Sequence, residues 1–311
     1  MGVDPLMLHG YQTLSPIANG AFSKIERARH HATQTEVAVK TFNKQRYLQP
    51  ANAHLLAAMQ NELSVLNKLK GLNHGGIANV IEIVDDPQNI RAILQYCGGG
   101  SLQRLMTKVG AGGNMAQSFG IGAKMSQSIA GQVAAALEVI HRMGIAHRDV
   151  KPDNILFVDG SHTAVKLCDF GFAISCQGKK VRTVCGTPQY MSPELAGASL
   201  QSRKPYDGPA VDMWAFGCLA FEMLEGKPAF RAVSVDQLNM RIAKASHETF
   251  TAASPPPARA VVKACLELNA EKRMTSAAAI THPWLRAKRS ASRSNSPKRE
   301  APSSPKPPHA Q

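Results

Sequence analysis

"HRDVKPDN", residues 147 to 154, sets three chemically distinct groups within eight positions. Asp149 is a carboxylate able to take a proton from a hydroxyl nucleophile. Lys151, two residues on, can neutralise charge on a transferring group. Asn154 can turn an amide oxygen toward a metal ion. Fifteen residues after Asn154 comes "DFG", where Asp169 offers the hard carboxylate oxygen that Mg²⁺ favours and Gly171 allows a sharp turn.

The chain around these groups divides by composition. From Gly10 to about Tyr96, short β-branched runs such as "TEVAVKTF" and "NVIEIV" alternate with one helical stretch, in which Leu56, Met59, Leu63, Leu66 and Leu69 recur at helical spacing. From about Gly99 to Leu285 helical patterns dominate. "SQSIAGQVAAALEVIHRMG" places Ile129, Val133, Leu137 and Ile140 on one face, with Gly144 as its stop. "VDMWAFGCLAFEML" is apolar almost all round, as a helix buried on every side must be. "GAGGNMAQSFGIGAK" (110–124) reads as a glycine-rich connection, and the tail beyond Leu285 has too few apolar residues to build a core. A strand-rich lobe joined to a helical one predicts a ligand-binding cleft between them.

HRDVKPDN, DFG, VAVK, MSPE and DMWAFG occur in one order over residues 11 to 285, and in that order and spacing the chain resembles a eukaryotic serine/threonine protein kinase. Calcium/calmodulin-kinase-like, Aurora-like, Polo-like and NIMA-related groups share these motifs about equally, which leaves the subfamily open. The resemblance implies an α+β, bilobal fold with an N-lobe over 11–95, a hinge at 95–98 and a C-lobe over 99–285. Residues 286–311 form a disordered basic tail in this reading.

The resemblance also implies ATP and Mg²⁺ as cofactors and protein serine or threonine hydroxyls as substrates. Lys40 of VAVK would lie on the α- and β-phosphates, with Glu62 on the following helix as its carboxylate partner. Asn154 and Asp169 would hold Mg²⁺, Asp149 would orient the substrate hydroxyl, and Lys151 would assist it. The adenine would lie between Ile17, Ile25 and Ala38 above and Leu156 below. Leu94 would close the back of the pocket, and the backbone of Gln95 and Cys97 would bond the adenine edge. Lys151 together with "CGTPQYMSPE" (185–194) resembles serine/threonine rather than tyrosine kinases. Thr187 would bond near Asp149, Glu194 would pair with Arg273, and Asp212 would brace the catalytic loop. Thr183 would be an activating phosphosite, filled by an upstream kinase or by autophosphorylation and read by Arg148 with Lys179, Lys180 or Arg182. Glu222 resembles a position that receives a substrate arginine, with a helix carboxylate as the plain alternative. Cys168, before Asp169, would face the pocket as an alkylatable or an inert thiol.

One departure stands out. Where the family has G-x-G-x-x-G-x-V, this chain has Ala18, Asn19, Gly20, Ala21, Phe22, Ser23, Lys24 and Ile25. If Ala18 and Ser23 sit at positive φ, each costs about 1–2 kcal/mol, which weakens ATP binding several-fold without abolishing it. The alternative is a pseudokinase scaffold. Such proteins usually lose the residues that Lys40, Asp149 and Asp169 retain here.

Bulk properties agree with a protein held inside the cell, cytoplasmic or nuclear. The formal charge is +14, but residues 286–311 hold seven Lys or Arg against one Glu, so nearly half the excess belongs to the tail. No nucleic-acid-binding signature accompanies it, and nucleic acid is not an expected partner. The six cysteines form no C-x-x-C pair, which argues against zinc and disulfide frameworks. No apolar run suits membrane insertion, and the start "MGVDPLML" lacks a secretory pattern. Oligomeric state is not legible from one chain.

Overall fold

A computed structural model describes residues 5–20, 23–111, 120–196 and 204–286. Helix α1 (Pro5–Leu8) precedes strands β1 (Tyr11–Asn19), β2 (Ser23–His30) and β3 (Glu36–Asn43). After α2 (Lys44–Tyr47) comes the long α3 (Ala53–Leu69), then β4 (Val80–Asp85) and β5 (Asn89–Gln95). The five strands form one antiparallel sheet in the order β1-β2-β3-β5-β4.

The alternation in "EVAVKTFN" decides what each face of that sheet does. Val37 and Val39 point to an outer core with Leu6, Tyr11, Ala28, Val84 and Ile93. Ala38 and Lys40 point the other way, toward the second lobe, with Lys40 opposite Ile25 on β2 and Ala92 on β5. A one-residue slip would exchange the two faces and expel Lys40 from the cleft, so burial of the valines fixes the register.

The second lobe begins with β6 (Gly100–Ser101), α4 (Leu102–Ala111) and α5 (Ala123–Arg142). Short strands follow: β7 (Ile145–Ala146), β8 (Ile155–Phe157), β9 (Val165–Leu167) and β10 (Ile174–Ser175). Helices α6 (Gly208–Glu225), α7 (Val235–Ala243), α8 (Pro256–Cys265) and α9 (Ser276–Thr281) complete it. The architecture is α+β and bilobal. The 110–124 connection is shorter than its composition suggests: α4 runs to Ala111 and α5 starts at Ala123, and 112–119 lie outside the described residues. The tail from 287 onward lies outside them too.

Helix α6 is the axis of this lobe. Asp207 caps its start by accepting from the Ala210 N–H, and Gly226 ends it in the left-handed region at φ +68°. Trp214, Phe216, Leu219 and Phe221 are fully buried on its different sides, and α5 and α8 pack against it. The α6–α8 approach depends on Gly217: a Cβ there would lie 2.7 Å from Cys265 Cβ. Gly217→Ala gains about 1 kcal/mol of helix propensity. Forcing two packed helices apart costs about 1–3 kcal/mol, so the clash prevails. We expect a melting temperature lower by a few degrees in calorimetry; a rise would show that the helices separate freely.

Candidate active site

Lys40 meets two carboxylates from different parts of the chain. Its Nζ donates to Glu62 Oε1 on α3 at 2.5 Å and to Asp169 Oδ1 at 3.1 Å. Burial alone would strip the proton from Lys40, but the charges of Glu62 and Asp169 outweigh it and raise the ammonium pKa. Burial pushes the Asp169 carboxyl upward, and Lys40 overcomes it to hold that group below the usual carboxylate range. Asp169 itself takes φ +56°, a costly conformation for a non-glycine residue. Gly171 serves by closeness rather than by a left-handed turn. A Cβ there would lie 3.2 Å from Asp169 Oδ1 and 3.6 Å from both Glu62 Oε2 and Lys40 Nζ.

The catalytic-loop segment hangs on one buried carboxylate. Asp212, 0% exposed in α6, accepts from the His147 N–H at 2.7 Å and the Arg148 N–H at 2.6 Å. His141 Nε2 donates to the same carboxylate at 2.9 Å, which leaves its Nδ1 to accept from Ser276 Oγ, also at 2.9 Å. These bonds hold Arg148 at φ +65°. The His147 ring packs edge-on against Phe170, and its Nε2 bonds the Cys168 carbonyl, which joins this loop to the Asp169 segment.

Beyond that bend the polar groups converge. Lys151 Nζ lies 2.9 Å from both Asp149 Oδ2 and Thr187 Oγ1, and Thr187 Oγ1 donates to Asp149 Oδ1 at 2.9 Å. Asn154 Nδ2 donates to the Asp149 carbonyl and to its Oδ2, at 2.8 and 2.9 Å. With its nitrogen so engaged, the Asn154 amide oxygen is available to a metal. Among the described residues no cluster of three or more His, Cys, Asp or Glu could hold one unaided. Asn154 and Asp169 fit an ion such as Mg²⁺, which takes one or two protein oxygens and completes its shell with phosphate and water.

Between the lobes lies a cavity of about 380 Å³ walled by Ile17, Ile25, Ala38, Leu94, Cys97 and Leu156, with Lys40 and Asp169 also on its lining. Gln95 borders it too, but its N–H is bound to the Asn79 carbonyl, so only its C=O remains for a ligand. The Cys168 thiol lines the same cavity. Burial pushes its pKa up and it donates to the Asn154 carbonyl, both of which disfavour the thiolate.

The β1–β2 turn departs from expectation. Ala18 lies in β1, paired with Ile25, and is not among the residues at positive φ. Ser23 opens β2 opposite Phe42. These are extended strand positions that any residue adopts, so the backbone penalty foreseen for Ala18 and Ser23 is not incurred there. Gly20 is also outside the positive-φ region; its N–H bonds the Ser23 carbonyl, and a Cβ would stand 3.2 Å from that oxygen. Ala18, Asn19, Gly20 and Ser23 do not line the apolar cavity, and the last three border a separate polar depression with Lys24 and Thr41. Ala21 and Phe22 lie outside the described residues.

Residues 11–285 match the family model described as the protein kinase domain. The chain belongs to the protein kinase family. It is similar to serine/threonine-protein kinase RAD53 of Saccharomyces cerevisiae, 30% identical over 87% of this chain and 32% of that protein. Serine/threonine-protein kinase ATG1b of Arabidopsis thaliana is 32% identical over 88% of this chain and 36% of its own length. Calcium/calmodulin-dependent protein kinase type 1B of Rattus norvegicus is 30% identical over 88% and 75% respectively. The chain thus spans about a third of the first two relatives and three quarters of the third. The names of these relatives are those of serine/threonine and calcium/calmodulin-dependent protein kinases, and the subfamily of this chain stays open.

In this kinase-family chain the segment after Asp169 folds back on the 147–154 loop. Arg148 donates from Nε to the Phe172 carbonyl at 2.7 Å and from a terminal nitrogen to Thr183 Oγ1 at 2.5 Å. Sequence reasoning missed Tyr206, whose hydroxyl donates to the Thr183 carbonyl at 2.6 Å and accepts from Arg148 at 3.1 Å. Nothing in the pattern around Tyr206 marks it, because the contact is made across the fold. Lys180 is 3.6 Å from Asp207 rather than at Thr183. Arg273 grips Glu194 with two nitrogens at 2.9 and 3.1 Å. Glu222 accepts from the Tyr190 hydroxyl at 2.5 Å, and burial raises its pKa.

Asp212→Asn tests the hub. The amide keeps the shape but presents N–H₂ to backbone donors that need an acceptor. Breaking a buried, charge-assisted set of bonds costs about 3 kcal/mol. Urea unfolding should show that loss; an unchanged midpoint would show that the loop does not depend on this carboxylate.

Proposed function

We propose that this chain transfers the γ-phosphoryl group of Mg-ATP to serine or threonine hydroxyls of protein substrates. The observation that carries the reading is the paired arrangement of Lys40 between Glu62 and Asp169, and of Asp149 between Lys151, Thr187 and Asn154. The first set suits the non-transferred phosphates, and the second suits the nucleophile. The apolar walls at Ile17, Ile25, Ala38 and Leu156 would take the adenine, with the Gln95 carbonyl and Cys97 backbone on its edge.

The substrate hydroxyl would bond Asp149, which receives its proton as the new O–P bond forms and the bond to the ADP oxygen breaks. Lys151 would offset negative charge on the group in transit, and Thr187 would hold Asp149 and Lys151 in register. Asn154 and Asp169 would hold Mg²⁺, which supplies charge neutralisation at the β- and γ-phosphate oxygens. Phosphoryl transfer needs little beyond positioning and electrostatics, and these residues supply both. In this reading the domain spans 11–285, with lobes at 11–95 and 99–285, a hinge at 95–98 and a basic tail at 286–311, and the protein works inside the cell. Among the described residues no helix is long and apolar enough to cross a membrane.

Transfer of ³²P from Mg-ATP to a serine/threonine peptide mixture, with Asp149→Asn alongside, tests the enzyme against the scaffold reading. Loss of the base should lower turnover by about 10²-fold or more. Equal background from both proteins would leave a pseudokinase scaffold with weakened nucleotide binding as the better account.

Thr183 is our proposed activating phosphosite. Its hydroxyl already touches Arg148, so a phosphate there would gain charge-assisted bonds to a residue adjoining Asp149. Thr183→Ala should lower turnover about fivefold or more, and phosphatase treatment of the wild type should do the same. Identical rates before and after treatment would remove Thr183 from regulation.

A further inference from the structure

Helix α3 carries Glu62 to Lys40, and the other end of the same helix makes a second polar contact across the cleft. Lys68, in the last turn of α3, donates from Nζ to Ser175 Oγ at 2.6 Å. Ser175 lies in β10, six residues beyond Asp169, and pairs with Ile145 of β7. That strand runs directly into His147 and the loop bearing Asp149. Glu62 and Lys68 are separated by about 9 Å of helix rise. A rigid rod is thus tied at two points, Lys40–Glu62 above and Lys68–Ser175 below. Lys68 is exposed, and this hydroxyl is the side-chain partner its ammonium takes among the described residues.

We propose that Lys68 is a positioning residue for Glu62: its bond to Ser175 fixes the rotation and tilt of α3 at which the Lys40–Glu62–Asp169 set assembles. In this proposal the bond couples the segment after Asp169 to α3, because β10, paired with β7, is the strand that presents Ser175 to Lys68. This inference rests on the kinase reading, and both residues stand outside the groups that would touch substrate or nucleotide. A lysine near a helix C-terminus also favours the helix dipole, whatever it touches. Ser175 separates the two effects, since removing its hydroxyl leaves the lysine charge in place.

Four variants, Lys68→Ala, Lys68→Arg, Ser175→Ala and the Lys68→Ala/Ser175→Ala double, are compared with the wild type for kcat, for KM of ATP and peptide, and for amide hydrogen exchange along 60–69. We expect each alanine variant to lose about three- to tenfold in kcat with peptide KM unchanged, and the double variant to fall no further than the worse single. Lys68→Arg should keep most of the activity, and exchange in α3 should quicken in both alanine variants. Wild-type turnover in Ser175→Ala, or additive losses in the double, overturns the proposal. Should the wild type itself transfer no phosphate, the kinase reading fails separately, and the exchange measurement decides: α3 amides no faster in Lys68→Ala or Ser175→Ala refute the bridge.

Discussion

A buried ammonium is tolerated only where carboxylates surround it, and Lys40 draws its two from separate elements of the chain. Glu62 comes from α3 in the small lobe and Asp169 from the segment after β9 in the large one. Removing either would strip Lys40 of one of its two carboxylates at the lobe boundary, so this triad is a condition on how the lobes meet. Because Lys40 depresses the Asp169 pKa, the pair's contribution is present above the ordinary aspartate pKa of about 4. It fades only as pH falls further, through the lower folded value. Near neutral pH both partners stay charged.

Asp212 sets the matching constraint on the large lobe. A carboxylate with no exposed surface is costly unless it is hydrogen-bonded, and here two backbone N–H groups and an imidazole bond both of its oxygens. Those backbone bonds hold Arg148 in a left-handed conformation beside Asp149. Arg148 and Asp169 are two of the six non-glycine residues at positive φ among the described residues. What sustains the Arg148 conformation is the fixed place of Asp212 in α6, a helix buried along nearly its whole length.

Much of this was legible in the chain because periodicity and chemistry pointed the same way. The alternation in β3 places Lys40 on the face opposite Val37 and Val39, and the all-round apolar pattern of α6 marks a buried helix. Asp149, Asn154 and Asp169 could be named from motif spacing; the fold bonds Asn154 to Asp149 and joins their loop to the Asp169 segment through His147. What could not be read is set by backbone geometry or by long-range contact. The expected strain at Ala18 and Ser23 depended on a φ value that sequence does not carry, and strand pairing makes their conformation ordinary. Tyr206, the Tyr190–Glu222 bond and the Ser276–His141–Asp212 chain join residues distant in sequence, and no local pattern announces such meetings. Lys68 looked like any solvent-facing lysine of an amphipathic helix.

The central claim is that the Lys40–Glu62–Asp169 set is built to hold a magnesium-bound nucleotide. Its most direct test is equilibrium binding of a fluorescent ATP analogue to wild type and to Glu62→Gln, with Mg²⁺ and with EDTA. The account predicts saturable, Mg²⁺-dependent binding that weakens about tenfold or more when Lys40 loses its buried partner. Binding that ignores both the metal and the substitution would contradict it.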